Sequence, residues 1–167
     1  MLNSMYDVLE EQIKDLYHAE NQLVKALPRM AKAASSEALR QAFANHLEET
    51  RSHVQRLEKA AETLEFRPTG KRCRAMEGLI EEARECWSEE GTGTVVDAML
   101  VGAAQRIEHY EIAGYGNARA IARQLGRDAV ADLLQKTLDE ESSADKKLTS
   151  ICQNEVFPAA AEVHAPA

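Results

Sequence analysis

The chain has 167 residues, 28 acidic against 20 basic side chains, a net charge of −8 and only 5% aromatic residues. That length suits one domain with a substantial core, while the acid excess, with Lys and Arg dispersed among acids, argues against nucleic acid as a partner. No secretory apolar segment or run of membrane-spanning length is present, so a cytoplasmic address without a membrane partner is expected, and three cysteines lacking a CxxC spacing argue against a disulfide framework or a zinc site.

Leu9, Ile13, Leu16, Leu23 and Leu27 recur at three- and four-residue spacing, which predicts an amphipathic helix from about residue 5 to 34. Glu20 lies inside that apolar stripe. Pro28 falls near the helix end and is expected to kink it or free a carbonyl, at about 3 kcal/mol unless packing compensates. Ser35 and Ser36 offer N-caps for a second helix from about 37, whose stripe runs Ala42, His46, Glu49, His53, Leu57 and Leu64. A long connection from about Phe66 to Thr94 follows, holding a helix from about Cys73 to Glu90. The third bundle helix, from about 95, carries Val101, Ala104, Glu108, Glu111 and Tyr115 on one face. Gly126 closes it and Asp128 opens the fourth, with Leu134, Leu138, Glu141, Asp145, Leu148 and Cys152 in its stripe. No run alternates with period two, so strands are not expected. Residues 1–157 are expected to form one bundle, and 158–167, which include His164, a frayed tail.

Short joints at Ser35 and Gly126 make antiparallel helix pairs, whereas the long middle connection returns across the roughly 43 Å of the second helix. The predicted fold is therefore all-α, a four-helix up-down-down-up bundle with a long crossover carrying an extra short helix, which is the ferritin-like order. In that arrangement Glu20, Glu49, Glu108, Glu111 and Glu141 all sit roughly 20 Å from a bundle end. They form one layer.

An unpartnered buried carboxylate costs several kcal/mol, so such a layer calls for cations. Two iron or manganese ions, bridged by Glu and completed by Glu and His, are the expected cofactors, since carboxylate-rich coordination with some imidazole suits those metals better than zinc or copper. Acids are frequent enough that any one in-phase Glu is a weak signal; matched depth on four helices is a stronger one. His46 and His53, one turn before and one turn after Glu49, compete for the imidazole role, and a satisfied core histidine is the alternative for each. His109 and Tyr110 face away from the stripe. Tyr17 and Tyr115 lie one turn from Glu20 and Glu111, either as hydrogen-bond partners or as packing.

The stretches YHAENQL, HLEET, AMEGLIEEA, AAQRIEHYEIAGYG and LDEESSADKKL, in this order and spacing, resemble the YciF-type bacterial stress-protein family of the ferritin-like superfamily, from about Met5 to Cys152. The resemblance implies a ferritin-like bundle, a homodimer and a dinuclear metal centre, with no established physiological reaction. The wider rubrerythrin-like pattern carries ligands onto Glu20, Glu49, Glu108, Glu111 and Glu141. That pattern also places a histidine three residues after the glutamate of the second and fourth helices, where this sequence has Ser52 and Ala144. The nearest substitutes are His53 and Asp145. Because the ligand histidine of related sites follows its glutamate, His53 is expected in preference to His46, which would leave a centre poor in nitrogen. Two functions follow: a dinuclear iron or manganese protein handling peroxide, dioxygen or ferrous iron during stress, or a non-enzymatic structural or interaction protein with a vestigial metal site.

Overall fold

The computed structural model describes residues 2–88 and 93–163. Helix α1 (Met5–Ala33) starts at a closed capping box: Ser4 Oγ accepts the Asp7 N–H at 3.1 Å, while the Asp7 carboxylate accepts the Asn3 and Ser4 N–H groups at 2.7 and 2.9 Å. The helix continues through Pro28, whose neighbours Ala26, Leu27 and Met30 are buried, so packing holds the turn that lacks a hydrogen bond. Ser36 caps α2 (Glu37–Thr63) by accepting the Leu39 N–H at 3.3 Å. The crossover holds α3 (Arg74–Ser88); the expected continuation to Glu90 lies outside the described residues. Helix α4 (Gly93–Gln124) closes where Gly126, at φ 66°, lets the Arg127 N–H return to the Ala122 carbonyl at 2.8 Å. Helix α5 (Asp128–Ile151) passes into a π-helical turn at Cys152–Val156 and then α6 (Phe157–Ala161).

The expectation of a frayed tail from residue 158 is corrected for residues 158–161, which belong to α6. Buried Cys152 and Val156 hold the π turn against the core, and the chain leaves it still helical. His164 and the residues after it lie outside the described residues. Cations are also less dispersed than expected in one place: Lys25, Arg29, Arg72, Arg74 and Arg84 border adjoining hollows between α1 and α3, interleaved with Glu77 and Glu81.

Helices α1 and α2 form one antiparallel hairpin and α4 and α5 the other, with α1 against α4, α2 against α5, and α3 packed on α1 and α4. Tyr6 donates its hydroxyl to the Leu64 carbonyl, joining the start of α1 to the end of α2. Near the start of α4, the buried Asp97 carboxylate accepts the Ser35 and Ser36 N–H groups, each at 2.7 Å. Both α2 and α4 therefore begin at one end of the molecule and run parallel. A Cβ on Gly93 would fall 2.0 Å from Ser35 Oγ, so glycine is what permits this approach. The architecture is the expected ferritin-like up-down-down-up bundle. Among the described residues there is no strand, and no helix is long and apolar enough to cross a membrane.

The apolar core comes in two parts. One is built on Leu23, Leu27, Leu39, Phe43, Leu100 and Leu148; the other on Leu9, Ile13, Leu16, Leu57, Tyr115 and Leu134. Along each of the four long helices, buried polar residues lie between the two: Glu20, then His46 and His53, then Glu108 and Glu111, then Glu141. Removing the Asp97 clamp should weaken the bundle without altering this arrangement. Asp97→Ala leaves two turn N–H groups without their carboxylate and should cost about 2–3 kcal/mol, read as a lower melting temperature at unchanged helical content by circular dichroism. An unchanged melting temperature would show that the clamp contributes nothing.

Candidate metal centre

Six side chains from four helices converge in the polar layer, and they divide into two groups that share one member. His46, Glu108, Glu111 and Glu141 form the first; Glu20, His53 and Glu141 form the second; in each group the candidate ligand atoms all lie within 4.8 Å of one another. Glu141 is shared through its two oxygens. Oε2 is 3.6 Å from His46 Nε2 and Oε1 is 2.9 Å from His53 Nδ1. His46 Nε2 also lies 3.3 Å from Glu108 Oε1, and His53 Nδ1 lies 3.3 Å from Glu20 Oε1.

Both imidazoles reach the layer, which corrects the expectation that only one would. His46 and His53 are seven residues apart, two turns of α2, so they share a stripe to within about 20°, with buried Thr50 between them. Glu49, three residues after His46, is rotated by about 60° from that stripe. It is therefore not core-facing as expected: its side chain is 48% exposed and it stands outside both groups, with Oε2 3.3 Å from His46 Nδ1. Asp145 is not in the layer either. One turn beyond Glu141, it accepts a hydrogen bond from Gln105 Nε2 at 2.9 Å. His109 is exposed, and Tyr17 donates to Glu58 rather than toward the layer. Tyr110 bonds Asp15 and faces Cys73 Sγ at 2.9 Å.

Each imidazole has one nitrogen aimed into the layer and the other against a carboxylate outside it. Glu49 stands behind His46; Glu140, with Oε2 3.0 Å from His53 Nε2, stands behind His53. Glu140 is itself gripped by the Arg56 guanidinium through both oxygens, Nη2 to Oε1 at 2.9 Å, and Arg56 Nη1 also donates to Thr137 Oγ1 at 3.0 Å. Such outer carboxylates set the tautomer and aim of a ligating histidine. Glu140 and Arg56 escaped the sequence reading, because an acid inside the Asp139–Glu141 run and an arginine on an acidic helix look like solvated surface. Tyr115 donates its hydroxyl to Glu20 Oε1. A Cβ on Gly114 would fall 2.8 Å from Leu16 Cδ2, so glycine next to Tyr115 keeps α1 and α4 close enough for that bond.

Burial and the mutual proximity of these groups shift their proton affinities in opposite directions. Burial opposes charge on His46, but Glu108, Glu49 and Glu141 outweigh it and raise the pKa to about 9. His53, also opposed by burial, is carried to about 11 by Glu141 and Glu20. Burial drives Glu108 well above the carboxylate range despite His46, and burial together with the charges of Glu20, Glu141 and Glu108 does the same to Glu111. Burial also lifts Glu20, against the pull of His53. Burial would raise Glu141 too, yet its two imidazole neighbours hold it below its ordinary value. Burial and the neighbouring carboxylates push the Tyr115 hydroxyl well up, so it keeps its proton.

A cation fits what remains. Eight layer atoms have no hydrogen-bond partner among the described residues: Glu20 Oε2, His46 Nε2, His53 Nδ1, Glu108 Oε2 and both oxygens of Glu111 and of Glu141. The 2.9 Å approach of His53 Nδ1 to Glu141 is an ion-pair distance without hydrogen-bond alignment. Atoms left unsatisfied in this way are costly, and they are the donor types that metal ions take. With four carboxylates and two imidazoles, the donor set has the composition of a ferritin-like dinuclear centre, so the expected shortage of nitrogen is corrected. The distribution is different: both imidazoles come from α2 and none from α5.

Comparison with known proteins agrees with this fold. A family model described as Domain of unknown function (DUF892) matches residues 4–161. Protein YciF of Escherichia coli K12 is 44% identical over 156 residues, 93% of this chain and 94% of YciF. The crystal structure of that stress protein superposes with a TM-score of 0.90, covering 93% of this chain and 99% of YciF at 43% identity. YcfI from Rhodopseudomonas palustris gives 0.85 at 42% identity, over 88% of this chain and 94% of its own. A ferritin-like, diiron-carboxylate protein from Bacillus anthracis gives 0.69 at 15% identity, over 90% and 99% of the two chains, which shows a shared fold. The chain belongs to the DUF892 family and is a homologue of YciF.

The layer should trade stability for its donors. Glu111, with both oxygens unpartnered, is the clearest case, and Glu111→Met should raise the stability of the metal-free protein by about 1–3 kcal/mol. Thermal unfolding in chelator measures this; a lower melting temperature would mean that the Glu111 carboxyl is satisfied in the metal-free protein.

Proposed function

We propose that the layer holds two divalent iron or manganese ions and that the loaded protein reacts with peroxide, dioxygen or ferrous iron during stress. Charge balance is the observation that carries this reading: four ionised carboxylates and two neutral imidazoles neutralise two divalent cations, in a place where any residual charge would be buried. We assign His46 and Glu108 to one ion and Glu20 and His53 to the other. Glu141, which belongs to both groups with one oxygen toward each imidazole, and Glu111, which belongs to the His46 group with both oxygens unpartnered, would complete the donor set. Metal ions there would supply Lewis acidity and electron transfer.

The rest of the chemistry belongs to the chain. Glu49 and Glu140 keep the outer imidazole nitrogens protonated, so that His46 Nε2 and His53 Nδ1 face the layer as bases. Arg56 prevents Glu140 from turning inward to become another donor. Tyr115 holds Glu20 in place and keeps a proton at its oxygen within the layer. The two apolar halves of the core limit the water that can reach the site.

Loading should expel protons. In the metal-free layer the carboxylates favour the imidazolium forms of His46 and His53, and burial favours the acid forms of Glu108 and Glu111; with two divalent ions all four acids would ionise and both imidazoles would be neutral. Protons should therefore leave as metal binds, and since the carboxylates raise His46 to about 9 and His53 to about 11, apparent affinity should rise with pH from 6 to 9. Elemental analysis should find close to two ions per chain, and calorimetry in buffers of different ionisation enthalpy counts the protons. A folded protein that retains no iron or manganese sinks the dinuclear reading.

Reactivity is a separate matter. The reduced, loaded protein should be oxidised by peroxide or dioxygen in stopped-flow absorbance, and His53→Ala should slow that oxidation. Inertness of the fully loaded wild type to both oxidants would favour a structural role, in which metal only stabilises the bundle.

A further inference from the structure

A cavity of about 290 Å³ opens between α2 and α5 onto one side of the layer only. The buried His46 and Glu108 lie at its inner end, Phe43 and Ala144 form part of its wall, and the exposed Glu49 and Lys147 lie at its rim. Glu111 and Glu141 do not line it, and neither do Glu20 and His53 of the second group. On their side His53 is backed by the Arg56–Glu140 pair and Glu20 is held by Tyr115. The two groups of donors are thus unequal in access although each contributes one imidazole.

We propose that this cavity is the entrance by which divalent cations reach the layer, so that the position at His46 and Glu108 exchanges with solvent while the position at Glu20 and His53 is filled through it and then sealed. The proposal rests on the dinuclear reading above. Glu49 gives the rim a carboxylate beside His46, 3.3 Å from its Nδ1, which attracts an incoming cation; Lys147 opposes it with a positive charge on the facing helix. Ala144 keeps the passage wide, being a methyl group at the position where a related centre carries an imidazole. Access is therefore set by residues that are not themselves donors.

Uptake kinetics test this with Co²⁺ as the probe, added to metal-free protein and followed by its visible absorption in stopped flow. Ala144→Phe should slow uptake by about tenfold or more while final content stays the same. Lys147→Glu, a surface change that leaves the packing alone, should speed uptake several-fold at low ionic strength, and the gain should shrink as salt is added. The loaded wild type should lose its ions to a chelator in two phases, one ion per phase. Uptake at the wild-type rate in the Lys147 variant at low salt, or single-phase loss from the wild type, overturns the entrance. Wild type that takes up no Co²⁺ at equilibrium overturns the dinuclear reading, and the entrance with it.

Discussion

Neutrality of a buried layer governs this bundle. Four carboxylates and two imidazoles cross the core at mid-height, dividing its apolar residues into two sets, and burial there makes any net charge costly. Without metal the layer moves toward neutrality with protons, since the carboxylates favour charge on His46 and His53 while burial favours the acid forms of Glu108 and Glu111. Eight polar atoms of the layer still have no hydrogen-bond partner among the described residues, although several stand in ion-pair contact, and an unsatisfied buried group costs about 1–3 kcal/mol. Cations would satisfy charge and coordination together. These buried polar atoms are therefore poorly explained by any contribution to the stability of the bundle.

Such a layer needs helices held in fixed register, and the structure supplies the register from outside it. Asp97 fixes the start of α4 to the turn between α1 and α2, which sets the depth of Glu108 and Glu111 relative to Glu20 and the α2 histidines. Gly114 sets the spacing of α1 and α4, and Arg56 links α2 to α5 beside His53 through Glu140 and Thr137. A shift of one residue on any helix moves a side chain by about 1.5 Å along the axis and 100° around it, enough to remove a donor. The fold places its rigid contacts at the ends and flanks, and its unsatisfied atoms in the middle.

Most of this was legible in the sequence. Helix boundaries, the parallel relation of α2 and α4, and the depths of Glu20, Glu108, Glu111 and Glu141 all follow from apolar spacing, caps and connection lengths. Errors arose where azimuth, rather than depth, decided the outcome. The stripe Ala42, His46, Glu49, His53, Leu57 is wide enough that either Glu49 or the two histidines can occupy its centre, and the choice is made by how α2 packs on α1 and α5. Glu140 and Asp145 show the same limit from the opposite direction, since each is one or four residues from Glu141 in a helix rich in acids. Pair contacts such as Arg56 with Glu140 join residues more than eighty positions apart and leave no local trace. The short α6 was missed because its helicity depends on buried Val156 and not on a periodic pattern of its own.

Placing both imidazoles on α2 also changes how centres of this kind can be found. Pattern searches for ferritin-like dinuclear sites look for a glutamate followed three residues later by histidine, once in each half of the chain. This chain contains neither copy, yet its bundle assembles the same donor composition from a histidine pair spaced H-x6-H on one helix and a glutamate pair spaced E-x2-E on another. The two donor types have been sorted onto different helices. A scan that counts donors by depth within the bundle, and ignores which helix supplies them, would recover chains that a search for the linear motif passes over.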